Sequence, residues 1–212
     1  MINKIKGKIY QIFGSPNKKH LINWFNLNGD KTFRLDYPEL NEKSIVFDCG
    51  GYEGQWTSDI YSKYRCKVYV FEPVKNFAEN IKKRFSKNKN IRVYYFGLSN
   101  ITKKAQISND NDASSLYKGG KEVIQLKSIS EFIIEDKINK IDLLKLNVEG
   151  EEYNILNNLI STGLIKKIKE IQVQFHRNIK NYKEEYSKTK VKLKETHKLK
   201  WRFPFIWEDW KK

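Results

Sequence analysis

The chain has 212 residues, 39% hydrophobic and 14% aromatic, which is enough for one sizeable core and short for two ordinary domains. No apolar run approaches the roughly 20 residues needed to cross a bilayer, and the N-terminus interleaves Lys with Ile instead of forming a signal-peptide core, so a cytoplasmic protein is expected. The net charge of +16, from 41 Lys plus Arg against 25 Asp plus Glu, would attract nucleic acid, anionic lipid or an acidic small molecule. Most of the excess is scattered Lys, not the clustered Arg of phosphate readers, which favours a solvated surface over a nucleic-acid groove.

In chain order, "MINKIKGKIYQIFG" places Ile2, Ile5, Ile9 and Phe13 at helical spacing, and "HLINWFNL" is a second short apolar segment. Both read as helices of an N-terminal extension, residues 1–40, packed on a domain formed by 41–212. A basic amphipathic helix also leaves peripheral membrane contact open. The runs "SIVFDCG", "KVYVFEP", "IRVYYFGLS", "IDLLKLNVEG" and "IKEIQVQFH" follow, separated by segments with helical spacing. Runs apolar on successive residues suit strands covered on both faces. The expected fold is therefore α/β, a Rossmann-like doubly wound, mainly parallel sheet.

Between the third and fourth of these strands, "ISNDNDASSLYKGGKEV" is too long for a simple turn and reads as a loop of the kind that covers a site. The end, "ETHKLKWRFPFIWEDWKK", holds three of the five tryptophans. It reads as a closing antiparallel strand pair with Pro204 at a bend, or else as a platform for stacking on a base or sugar. Cys49 and Cys66 lack metal-ligand spacing and secretory context, which points to buried reduced thiols.

The ligand is indicated by "VFDCGGYEG", an apolar strand running into glycines and then the helical "QWTSDIYSKY". The chain lacks the G-x-G-x-x-G of a dinucleotide enzyme and the Gly-Lys-Ser/Thr ending of a P-loop. It has D-x-G-x-x-x-G instead, formed by Asp48, Gly50 and Gly54, with Glu72 at the end of the next strand. Glu72 can accept both hydroxyls of a ribose. An acid beside the glycine turn would repel pyrophosphate and suit an ammonium or sulfonium cation. S-adenosylmethionine carries both features.

These residues resemble the FkbM-type family of class I S-adenosylmethionine-dependent methyltransferases, through "VFDCGGYEGQW", "VYVFEP", "FGLSN", "DASSL" and "IDLLKLNVEGEEYNIL", roughly residues 45 to 160. "QVQFH" and the terminal Trp-rich segment look like a subset of this family found among polysaccharide-modifying genes. The resemblance implies that Gly50, Gly51 and Tyr52 lie against the amino-acid part of the cofactor, Glu72 on the ribose, and Pro73 with Leu98 beside the adenine. Asp48 would orient the turn or reach the ammonium through water. At Asn147 the chain departs from the family's more usual Asp. A carboxamide neither binds a cation nor takes a proton as a carboxylate does, so a metal-dependent reaction is not expected.

Methyl transfer needs an aligned acceptor and removal of its proton. If the first and fourth strands are neighbours at the switch point, Asn147, Glu149 and His176 share one rim beyond the strand ends. His176 is the first choice of base, because its ordinary pKa is near neutrality. Glu149 is the second; it could instead fix the turn or hold a substrate hydroxyl. His197 reads as structural or substrate-binding, and His20 has no evident partner. The expected reaction is O-methylation of a hydroxyl on a nucleotide-sugar or surface polysaccharide. RNA methylation, favoured by charge, and a non-catalytic S-adenosylmethionine-binding module are the alternatives. Oligomeric state is not legible.

Overall fold

The computed structural model describes residues 18–107 and 122–212. The N-terminal helix expected over residues 2–13 and most of the long polar loop lie outside them. A seven-stranded sheet forms the centre: β1 (Ile45–Cys49), β2 (Lys67–Phe71), β3 (Ile91–Tyr94), β7 (Leu143–Leu146), β8 (Glu170–Val173), β9 (Lys198–Phe203) and β10 (Trp207–Lys211). Its order is β3-β2-β1-β7-β8-β10-β9. The first five of these run parallel, while β10 is antiparallel to both β8 and β9.

Helices cover both faces, as the apolar strands require. α3 (Gln55–Tyr64) and α4 (Lys75–Arg84) pack Trp56, Ile60 and Ile81 against Val46, Val68 and Val70. On the opposite face, α5 (Ile129–Glu135), α6 (Glu152–Ser161) and α7 (Tyr182–Leu193) pack Phe132, Leu156 and Leu193 against the face carrying Phe47 and Leu144. Each such side chain, fully buried, contributes about 1.5–3 kcal/mol. Phe47, Phe71, Tyr94 and Phe132 form a continuous aromatic cluster within this second core.

Two details differ from the sequence reading. "IRVYYFGLS" is not one strand: after β3 the chain leaves the main sheet, and β4 (Gly97–Ser99) pairs with β6 (Glu122–Ser128), which also pairs antiparallel with β5 (Lys103–Ile107). Gly97 permits this approach, since a Cβ there would lie 2.8 Å from the Leu126 side chain. The ends of the segment read as a loop are strand ends, Ile107 in β5 and Glu122–Val123 in β6. Burial alternates along both strands, so they lack the continuous apolar signature of the central sheet.

The closing strand pair is present, with Pro204 in the turn between β9 and β10. Its tryptophans are core residues: Trp207 and Trp210 are buried, and Trp201 packs with Phe33 and with Trp24 of α1 (Lys18–Asn26). This removes them as an open stacking platform. A four-residue helix, α2 (Gly29–Thr32), follows α1, and Tyr37 and Leu40 then join the core under α3. Cys49 and Cys66 are buried free thiols. No helix among the described residues is long and apolar enough to cross a membrane.

Candidate active site

The strand order reverses at β1, which has β2 on one side and β7 on the other. The crevice beyond their carboxyl ends is where open α/β sheets bind ligands. The chain leaves β1 into Gly50, at φ 81°, where a Cβ would lie 1.9 Å from the Asn147 carbonyl oxygen. Only glycine lets the turn after β1 touch the end of β7 so closely. At Gly51 a Cβ would lie 2.4 Å from Val70 Cγ1, so the turn is equally close to β2.

Tyr52, at φ 50°, donates its N–H to Glu72 Oε2 at 2.8 Å, and Val74 N–H donates to Oε1 at 2.9 Å. Glu72 thus ties the glycine turn to the end of β2. Burial pushes its pKa up to about 7, against the opposing effect of these two backbone donors. Pro73 lies against β4, next to the position a Gly97 Cβ would take. Leu98 is buried in the core beneath. Gly54, at φ 75°, starts α3 and allows it to pack on Ile81 and Phe85.

Asp48 faces inward. It is fully buried, accepting from Thr57 Oγ1 at 2.6 Å and from Lys145 Nζ at 2.7 Å. Lys145 also donates to the Gly50 carbonyl at 2.8 Å. Asp48 and Lys145 are register partners on neighbouring strands. Removing two charges from water costs several kcal/mol, which close pairing and full hydrogen bonding must offset. The role of Asp48 in the turn therefore runs through Lys145, a residue the sequence reading passed over. Its signal was a lysine inside the apolar run "IDLLKL".

β7 and β8 supply the other wall. Glu149, at φ 51°, and Gly150, at φ 111°, lead into α6. Glu152 is fully buried and accepts from Gly150 N–H at 2.9 Å and from His176 N–H at 2.5 Å. The imidazole lies between two carboxylates: Nδ1 is 3.3 Å from Glu152 Oε1 and Nε2 is 3.3 Å from Glu149 Oε1. Tyr153 Oη donates to the His176 carbonyl, and Asn178 Nδ2 to the Glu149 carbonyl, each at 2.7 Å. Burial alone would lower the His176 pKa, but the charge of Glu152 and hydrogen bonds to both carboxylates raise it to about 10. At neutral pH this histidine is an imidazolium.

Asn147 Oδ1 is buried with no hydrogen-bond partner among the described residues. Such a group in this crevice wall fits a ligand donor that completes it. His197 is at the opposite end of the sheet, where its Nε2 meets the Ile168 carbonyl at 3.1 Å and its Nδ1 meets Thr196. It is a structural residue.

Residues 48–199 match the family model of the methyltransferase FkbM domain. The chain belongs to the FkbM methyltransferase family. It is an S-adenosylmethionine-dependent methyltransferase. No curated protein matches the chain. Among solved structures, a putative rRNA-methylase from Clostridium thermocellum is similar in fold, with 11% identity over 81% of this chain and 88% of that one and a TM-score of 0.51. An rRNA methylase from Streptococcus thermophilus, 14% identical over 82% and 89% of the two chains, gives 0.48. TrmK of M. capricolum, solved with S-adenosylhomocysteine, is 14% identical over 85% and 68% and gives 0.45. At such identities the likeness concerns the fold alone.

Proposed function

We propose that this FkbM methyltransferase O-methylates a sugar hydroxyl of a nucleotide-sugar or surface polysaccharide. The observation that carries the proposal is the partly exposed Glu149 carboxylate held by His176, which is itself held by the buried Glu152, at the crevice mouth. Oxygen methylation needs a group that takes the hydroxyl proton as the new O–C bond forms. His176 already carries its proton at neutral pH, so Glu149 takes this role and His176 holds it in place. This reverses the order expected from ordinary pKa values. The Asn178 amide, which braces Glu149, adds to a polar rim suited to a hydroxyl-rich acceptor.

In this reading the Gly50–Tyr52 turn holds the amino-acid part of the cofactor. Glu72 holds the ribose, Pro73 and Leu98 border the adenine, and Asn147 Oδ1 accepts from the ammonium. Bound S-adenosylmethionine supplies a sulfonium methyl group open to displacement. The chain orients the acceptor oxygen, keeps water out and stores the released proton on Glu149 until it passes to solvent. Asn147, being a carboxamide, offers no anionic oxygen to a hard cation.

An RNA acceptor is the second reading, supported by the net charge of +16 and by the basic end of α4 at Lys82, Lys83 and Arg84. Labelled methyl donor offered with a panel of nucleotide-sugars, and separately with total RNA, decides between them. Label in the sugar fraction is the expected result. Label only in RNA, with salt-sensitive turnover, would replace the carbohydrate reading.

A further inference from the structure

Lys145 is the one charged residue of β7, where Leu143, Leu144 and Leu146 are all fully buried. Only 3% of its side chain is accessible, and Nζ lies 5.6 Å from the centre of the Trp56 ring. A buried ammonium needs acceptors for its other N–H groups as well as its counter-charge, and an apolar pair of similar volume often serves stability equally well. Here one of those acceptors is the carbonyl of Gly50, the residue at positive φ where the turn touches the end of β7.

A trans peptide unit is planar, with its C=O and N–H pointing in opposite directions. With the Gly50 carbonyl turned onto Lys145, the Gly51 N–H points away from Lys145. The next peptide unit is fixed from the other side, since Tyr52 N–H donates to Glu72. Lys145 and Glu72 therefore set two successive peptide units of the turn from β7 and β2 respectively.

We propose that Lys145 is a positioning residue for the cofactor: its ammonium fixes the Gly50 carbonyl so that the Gly51 N–H faces the carboxylate of the methionine part. Asp48, which also accepts from Thr57, holds the ammonium in place, and this accounts for an acid inside β1 just before the glycines. The inference rests on the reading that this turn holds the amino-acid part of the cofactor.

The test compares two probes, S-adenosylhomocysteine and 5′-methylthioadenosine, which keeps the adenosine and lacks the amino-acid part. Their dissociation constants are measured by calorimetry on the wild type and on the double variant Asp48→Asn/Lys145→Met, which removes both buried charges with little change in volume. The expected result is a loss of about 10-fold to 100-fold for S-adenosylhomocysteine, the span of one lost charged hydrogen bond, with 5′-methylthioadenosine within about twofold of wild type. A purely structural lysine would weaken both probes alike or neither, and either pattern overturns the proposal. If the double variant does not fold, Lys145→Arg decides, since it keeps the charge beside Asp48 but cannot fit its planar head against Gly50 without turning the carbonyl. A wild-type ratio of the two constants in Lys145→Arg overturns the proposal. Equal affinity of the wild type for both probes would overturn the assignment of the turn itself, and this inference with it.

Discussion

His176 Nε2 lies 3.3 Å from Glu149 Oε1, while Nδ1 of the same ring lies 3.3 Å from Glu152 Oε1. A neutral imidazole has only one N–H, so two facing carboxylates favour the doubly protonated ring. The consequence is a cation fixed between the start of α6 and the end of β8. It ties Glu149 to the fold.

The pH dependence of turnover follows. A neutral histidine base would give a rising limb near pH 6.5. With His176 at about 10, the expected profile at saturating S-adenosylmethionine has no limb there and declines only as the ring loses its proton in alkali. The stability contribution has the same sign: it is complete below 6.5, the ordinary value, and is lost as pH rises through about 10. His176→Ala should lower turnover about 100-fold while S-adenosylmethionine affinity stays near wild type; Glu149→Gln should do likewise. Pre-steady-state turnover measured with calorimetric binding checks both. A limb near pH 6.5 that disappears in His176→Ala would restore the histidine as base.

Cofactor binding should depend on pH through Glu72. Burial raises this acid from 4.5 to about 7, so its effect on stability is favourable below 4.5 and is lost as pH rises through about 7. Ribose hydroxyls donate, and so prefer the carboxylate. S-adenosylmethionine affinity should therefore fall as pH drops below 7, with proton release on binding near neutrality. Calorimetry in two buffers of different ionisation enthalpy measures that release. Glu72→Ala should weaken binding by about 1–3 kcal/mol, and unchanged affinity would remove Glu72 from the cofactor site.

How much of this was legible depends on where the signal lay. β1, β2 and β7 declared themselves because both faces are covered and the apolar residues are continuous. β5 and β6 did not, since exposed Lys104, Gln106 and Gln125 alternate with packed residues and lend the strands the look of a polar connection. The residues "VEG" and "QFH" follow neighbouring strands, as their apolar runs suggest, but the charge on His176 depends on Glu152, which lies 24 positions away in sequence. Likewise Asp48 and Lys145 are separated by 97 positions and meet only through strand register. Sequence spacing carries a residue's element; it does not carry its partner across a sheet.

Two glycines at similar φ should behave differently. Gly50 and Gly163 lie at φ 81° and 72°, so alanine at either pays the left-handed penalty of about 1–2 kcal/mol. At Gly163 an added Cβ meets open space, whereas at Gly50 it meets the Asn147 backbone at 1.9 Å. Gly163→Ala should show only that modest loss in a denaturant titration and keep cofactor affinity. Gly50→Ala must push the turn off β7, and should lose cofactor binding as well as stability. Equal behaviour of the two variants would mean that the turn can move without consequence.

Turnover should not require a divalent metal. Hard cations are held by several oxygen ligands, with carboxylates foremost, and the nearby acids are otherwise engaged. Asp48 is paired with Lys145, Glu72 accepts two backbone N–H groups, and Glu152 is buried against His176. Glu149 alone is partly exposed among these, and one carboxylate beside an imidazolium is a poor cation site. Asn147 contributes one neutral oxygen. EDTA should accordingly leave turnover unchanged, and added magnesium should not raise it. Asn147→Asp provides the converse test: the new carboxylate would keep an acceptor for the ammonium, so cofactor affinity should hold or improve. Loss of wild-type activity in EDTA, restored by magnesium, would show that a cation is used despite the carboxamide.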